Sequence, residues 1–264
     1  MQHPPFPIVF GICLDAEAIW LSIDPENRNR PSLLSHGAYA VLEGLEPLLD
    51  LLDRHQVPAT FFVPGMTADR YPDAVKEIHR RGHELAGHGH GHLSPTRLTP
   101  EQERDELVRG NDSIADIINE RPVTWRSPSW EWSAHTLDLM MEDGITVSTN
   151  FHDRVAPYRH QRDGASLPMV ELPVQWHLAD APYFIHGGRM ERIIRTSAEV
   201  ETLWKEEFLG HYNWPNPAFF HLTLHVQLIA QPGRLMMLDR LIGHMKSFPR
   251  STFMRSRDLA ATIA

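Results

Sequence analysis

Short apolar runs alternate with segments of helical spacing from near the start of the chain to near its end. This alternation restricts the fold more than any other feature. Ile8 to Leu14, IVFGICL, has the character of a buried strand and runs into Asp15. Leu45, Leu48, Leu49 and Leu52 recur at helical spacing, and Ala59 to Val63 follows as a strand closed by Pro64-Gly65. Tyr71 to Arg81 reads as a helix stopped by Gly82, and a strand then leads into His83 to Pro95. Thr99-Pro100-Glu101-Gln102 combines a capping box with proline at the first helical position, and opens a helix reaching Glu120. Further strands are expected at Val123 to Arg126, Thr146 to Ser148, Val170 to Val174, Phe219 to Leu224 and Thr252 to Met254. Helices are expected after a Ser133 cap, over Glu199 to Leu209, over Arg234 to Met245, and from Ser256. Two stretches read as loops: the Pro-rich SIDPENRNRPS and the irregular segment Asn150 to Pro168.

No linker, repeat or low-complexity segment interrupts this order, so one domain over residues 1–264 is expected. The pattern predicts an α/β fold with a parallel sheet, either open or closed into a barrel. In a barrel the reactive groups collect at the C-terminal ends of the strands. Asp15, the histidine-rich stretch, Arg126 and His225 all fall at or just past such ends.

The stretch HELAGHGHGHLSP alternates His88, His90 and His92 with Gly87, Gly89 and Gly91. Neutral imidazole is a common ligand for zinc-like ions. His88 and His92, four apart, share a face in a helical turn or in an extended segment. Asp15 and Glu17 are separated by one residue, so both would point the same way as Cys13 if the strand direction persisted. One carboxylate with two imidazoles is the ligand set of many catalytic zinc sites, and a second carboxylate could accept a proton from water. Arg126 opens RSPSWEW and is suited to a bidentate grip on a pocket carboxylate, with Trp130 and Trp132 as walls. His221, Thr223 and His225 share one face of their strand, and a histidine at such a strand end can protonate a leaving amine.

A formal net charge of −9 argues against nucleic acid or an anionic membrane as the main partner. Cys13 is the one cysteine, so no intrachain disulfide can form. The start, MQHPPFPIVF, lacks a basic segment followed by a long apolar run, and no run reaches spanning length. A cytoplasmic location is the expectation.

These motifs together resemble the polysaccharide deacetylase family, in particular its peptidoglycan deacetylase-like and allantoinase-like branch. HELAGHGHGHLS is similar to that branch's His-x-x-x-His motif, WRSPSW to its Arg-x-Pro motif, ELPVQWHLADAPYF to its groove-lining segment and LTLHVQLIAQPGRL to its last motif. The resemblance implies a distorted (β/α) barrel. It also implies a metal-dependent hydrolase of a non-peptide C–N bond, acting on an N-acyl amino sugar or a small cyclic amide or ureide. By the same resemblance a divalent ion, zinc foremost, sits on Asp15, His88 and His92. Arg126 holds the catalytic acid, His225 serves as general acid, and Trp130 and Trp176 line the groove. The branch also implies a homo-oligomer. The first motif departs from the family, because Cys13-Leu14-Asp15-Ala16-Glu17 stands where two aspartates are usual. One register, the preferred one, makes Asp15 the metal ligand, puts Cys13 at the base position and leaves Glu17 as the nearest base, or leaves catalysis to His225 and water. The other makes Asp15 the base and Glu17 the ligand. Two alternatives follow: a ligand-binding protein on the deacetylase scaffold, or a metal-free hydrolase of the allantoinase-like kind.

Overall fold

A computed structural model describes residues 4–187, 193–215 and 217–263. Its strands are β1 (Phe6–Cys13), β2 (Thr60–Val63), β3 (Glu84–Gly87), β4 (Thr124–Trp125), β5 (Val147–Ser148), β6 (Tyr158–Arg162), β7 (Ala165–Glu171), β8 (Phe220–His225) and β9 (Ser251–Met254). They form one sheet in the order β6-β7-β5-β4-β3-β2-β1-β8, with β9 joined to β1. Every pairing is parallel except the β6–β7 hairpin. The outer edge of β8 meets the chain beyond β7, where Ala179 bridges Thr223 and the His221 ring donates to the Pro173 carbonyl. The sheet therefore curls into a distorted barrel.

Alternation along β1 sorts its side chains between two environments. Phe6, Ile8, Phe10, Ile12 and Leu14 join the large cluster under the helices, among them Leu48, Trp204 and Leu238. Val9 packs with Val147, Val170, Phe219 and Leu259 inside the barrel. Gly11 is required there. A Cβ on it would lie 2.6 Å from Arg126 Nη2 and 2.9 Å from His221 Nε2. At the lower end β1 has a forked edge: β9 pairs with Phe6–Val9, and β2 takes over at Gly11–Cys13. The chain end then plugs this side, where Thr60 Oγ1 accepts from Ser256 N and a Glu84 carboxylate oxygen accepts from Arg257 N.

The helices are α1 (Ala18–Ile23), α2 (Pro31–Tyr39), α3 (Leu45–Arg54), α4 (Gly65–Arg70), α5 (Pro72–Arg80), α6 (Pro100–Ile118), α7 (Thr136–Glu142), α8 (Ala181–Phe184), α9 (Ser197–Tyr212), α10 (Val226–Ile229), α11 (Pro232–Lys246) and α12 (Ser256–Ala260). The capping box at Thr99 is present as expected, with Thr99 Oγ1 accepting from Gln102 N.

Three expectations need correction. SIDPENRNRPS is largely helical, because Pro25 and Pro31 occupy the first position of a 3-10 turn and of α2. Part of 150–168 is ordered as β6 and the start of β7, joined by Asp163-Gly164, both with positive φ. Asp-Gly is the hairpin signal that marks this turn. Helix α7 begins two residues later than a Ser133 cap would set it, with His135 at its N-cap. Among the described residues no helix is long and apolar enough to cross a membrane.

Candidate active site

Asp15 lies just beyond β1 and is fully buried, yet neither carboxylate oxygen has a hydrogen-bond partner. Three imidazoles face it. His88 Nε2 stands 3.6 Å and His92 Nε2 3.9 Å from Oδ1, and His225 Nε2 3.8 Å from Oδ2. Burial alone would push this carboxyl up, but His92, His225 and His88 together hold it below its ordinary value. The histidine-rich segment is brought here because it leaves β3 and folds against α6. Gly110 packs there against the Gly89 carbonyl, leaving no room for a Cβ, and Gly89 itself has φ +70°.

Each of the two paired rings is oriented by its other nitrogen. His88 Nδ1–H donates to the Arg126 carbonyl at 2.8 Å. Ser22 gives its own proton to the Ile19 carbonyl, so His92 Nδ1–H donates to Ser22 Oγ at 3.1 Å. Both Nε2 lone pairs are thereby left toward Asp15. Burial lowers His92 to about 4. Burial also opposes the charge on His88, but Cys13 and Asp15 raise it overall.

Cys13 belongs to the same cluster. Its Sγ, an Asp15 oxygen and a His88 ring nitrogen all lie within 4.8 Å of one another, a buried group able to hold a metal ion. Burial opposes ionisation of the thiol, while His225 and His88 favour it, and the balance is about 6. Arg126 does not grip a carboxylate as expected. Its Nη1 donates instead to Cys13 Sγ at 3.6 Å. Its other contacts include Thr149 Oγ1 at 2.9 Å, His221 Nε2 at 3.1 Å, the Phe62 ring 3.9 Å from the guanidinium and the Trp130 ring at 6.0 Å. Burial lowers the pKa of Arg126. Burial and the guanidinium together push His221 down to about 3, so this ring is the neutral acceptor.

His225 Nδ1–H donates to Asp180 Oδ1 at 2.6 Å, and its backbone N–H donates to Asp180 Oδ2 at 2.8 Å. Burial works against the imidazolium, but Asp180 and Cys13 raise it well above its ordinary value. Sequence reasoning missed Asp180. Its one local mark is a position directly before Ala181-Pro182 at the start of α8, a place suited to a capping acid.

Glu17 does not join the cluster, contrary to expectation. The strand stops at Cys13, Ala16 takes φ +48°, and the alternation that would aim Glu17 inward is lost. Its carboxylate instead accepts from Tyr71 Oη at 2.7 Å and pairs with Arg70 at 3.4 Å. The preferred register, with Asp15 among the histidines, agrees with this geometry. The register that makes Glu17 a metal ligand does not.

A pocket of about 580 Å³ opens over the cluster and is lined by Cys13, His88, His92, Arg126, Trp130, Trp176 and His225 among others. Trp130 and Trp176 meet in it at 4.4 Å between ring centroids, with His152 stacked on Trp176. Ser129 and Trp130 both adopt positive φ, a sparsely populated conformation that carries the indole to the rim. Trp132, expected as a wall, is not among the residues lining this pocket and packs instead on Phe151 and His160.

The curled parallel sheet, with its acid and imidazoles at the strand ends, puts the chain among the (β/α)-barrel enzymes. The family profile described as polysaccharide deacetylase matches residues 38–148. A peptidoglycan deacetylase of Helicobacter pylori is 27% identical over 262 residues, covering 90% of this chain and 89% of its own length. A Mycobacterium smegmatis structure assigned to the polysaccharide deacetylases superposes with a TM-score of 0.91 at 32% identity, covering 99% of this chain and 93% of the other. An allantoinase structure matches with a TM-score of 0.82 at 22% identity over 98% and 93% of the two chains, a likeness of fold alone. The chain belongs to the polysaccharide deacetylase family, hydrolases of carbon–nitrogen bonds other than peptide bonds.

Proposed function

We propose that this protein is a metal-dependent deacetylase of N-acyl amino sugars, with small cyclic amides or ureides as the alternative substrate class. In this reading zinc is held by Asp15, His88 and His92. The observation that carries it is the state of Asp15. An ionised carboxylate with no hydrogen bond, fully buried, costs several kcal/mol unless positive charge stands against it. The residues fit a divalent cation, since Cys13, Asp15 and His88 offer ligand atoms within 4.8 Å of one another, and His92 Nε2 stands 3.9 Å from Asp15 Oδ1. When bound, such an ion polarises the carbonyl and lowers the pKa of water.

The chain's own groups supply the rest. His225, oriented by Asp180, presents Nε2 to the pocket and gives a proton to the leaving nitrogen. Trp130 and Trp176 offer an apolar face to a sugar ring and keep that side of the pocket dry. Arg126 fixes His88 through its carbonyl and steadies Cys13 with its guanidinium. The similarity to the Helicobacter pylori enzyme supports the amino-sugar class.

A second reading, a ligand-binding protein on the same scaffold, is favoured by one feature. Cys13 stands where the family resemblance puts the base and Glu17 is diverted to Tyr71, so among the described residues the group of Cys13, Asp15 and His88 holds one carboxylate. A panel of N-acetylated sugars, cyclic imides and ureides, assayed with and without Zn2+, separates the two. Hydrolysis restored to the stripped protein by metal, and abolished in His88→Ala, is the expected result. Binding of a panel compound with no turnover supports the second reading, and full activity in His88→Ala removes the metal assignment.

A further inference from the structure

We propose that Cys13 is a sulfur ligand to the ion at Asp15 and His88, making this a mixed sulfur, nitrogen and oxygen centre that selects zinc-like cations. This rests on the metal reading above. Three observations carry it. The sulfur, one oxygen of Asp15 and a nitrogen of His88 already lie within 4.8 Å of one another, a buried group that could hold one metal ion. Both oxygens of Asp15 are buried without partners. The position of Cys13 is also fixed: it is the last residue of β1, paired between Phe62 of β2 and His225 of β8 and packed in a cluster with Phe62 and Ala86.

The same placement argues against Cys13 as a base or a free nucleophile. A group among two potential ligands and an arginine is in the first rank of contacts for any cation that enters. Binding replaces the S–H bond with a sulfur–metal bond, and the proton leaves to solvent, so no oxidant or reductant is involved. Thiolate and carboxylate then balance the two positive charges, and Arg126 Nη1, 3.6 Å from Sγ, remains a donor to the coordinated sulfur. Cys13, Asp15 and His88 would hold the ion, with the His92 ring nitrogen 3.9 Å from Asp15 Oδ1 beside them, and a position left open would admit water or substrate. A soft sulfur ligand discriminates against Mg2+, Ca2+ and Mn2+, which prefer oxygen.

X-ray absorption on the zinc-loaded full chain tests this directly. One sulfur scatterer at about 2.3 Å is expected beside nitrogen and oxygen at about 2.0–2.1 Å. Cys13 is the one cysteine and no methionine is among the lining residues of the pocket, so that sulfur can be assigned. Co2+ added to stripped protein should give a near-ultraviolet sulfur-to-metal band together with visible d–d bands. Cys13→Ser should keep the visible bands, lose the near-ultraviolet band and bind Zn2+ at least about tenfold more weakly. A bound ion with only nitrogen and oxygen neighbours overturns the proposal and leaves the Asp15–His88–His92 site standing. No bound ion in the unmutated protein overturns both. Because the wild-type spectra decide the matter, a Cys13→Ser chain that fails to fold does not protect the proposal.

Discussion

Asp180 holds His225 at two points, its Oδ1 accepting from the ring at 2.6 Å and its Oδ2 from the backbone at 2.8 Å. The carboxylate fixes both the rotamer and the tautomer of the ring, which leaves Nε2 as the nitrogen available to the pocket.

Asp180→Asn is therefore expected to lower kcat by roughly 10²–10⁴ with little change in KM, as loss of an orienting carboxylate does in other histidine-based sites. Steady-state kinetics on the best substrate of the panel checks this. A KM effect with kcat intact would show that His225 does not act in the chemical step.

Glu17→Gln should leave kcat within about threefold, since Glu17 faces Tyr71 and Arg70 rather than the cluster. Glu17→Ala, which also breaks the bond to the Tyr71 hydroxyl, should cost about 1–3 kcal/mol and lower Tm by several degrees. A loss of activity beyond tenfold in the Gln variant, at unchanged Tm, would restore Glu17 as a base.

Trp176 is half exposed and packs on Trp130 at the pocket rim. Trp176→Ala should raise KM about fivefold, the equivalent of about 1 kcal/mol of stacking, while kcat stays near wild type. Unchanged KM for a full-length glycan substrate would remove the platform from the binding site.

Acid sensitivity should come partly from His83. Burial depresses this ring from 6.5 to about 4, and its Nδ1 accepts from the Ala59 N–H at 3.2 Å. The unfolded chain takes up this proton near pH 6.5 and the folded chain only near 4, so stability falls as pH drops through that window. The loss from this one site is at most roughly 3 kcal/mol. Tm measured from pH 7 to pH 4 should decline less steeply in His83→Asn, whose Oδ1 can replace the accepting nitrogen. Parallel curves for the two proteins would exclude His83 as a source.

Strand ends were legible because a buried strand that runs into Asp15, or into a run of glycines and histidines, has little choice of environment for those groups. His88, His92 and His225 reach Asp15 for that reason. Glu17 was misread because period-2 reasoning holds only while the chain stays extended, and the positive φ at Ala16 ends it. Asp180 was not legible as a partner of His225, since 45 residues separate them and the link exists only once Ala179 has paired with Thr223. The hairpin of β6 and β7 could have been found from Asp163-Gly164, but the surrounding polar residues hid its strands.

The double pairing at the lower end of β1 governs the order in which the protein can assemble during translation. Ile8 is bonded on one side to the strand of Phe220 and on the other to that of Phe253. Around Ile8, β1 thus waits for β8 and β9, both far along the chain, while β2 covers only Gly11–Cys13 earlier, and the apolar residues of β1 need shelter meanwhile. A nascent chain stalled before β8 should remain open to protease, whereas the released chain closes into a resistant body.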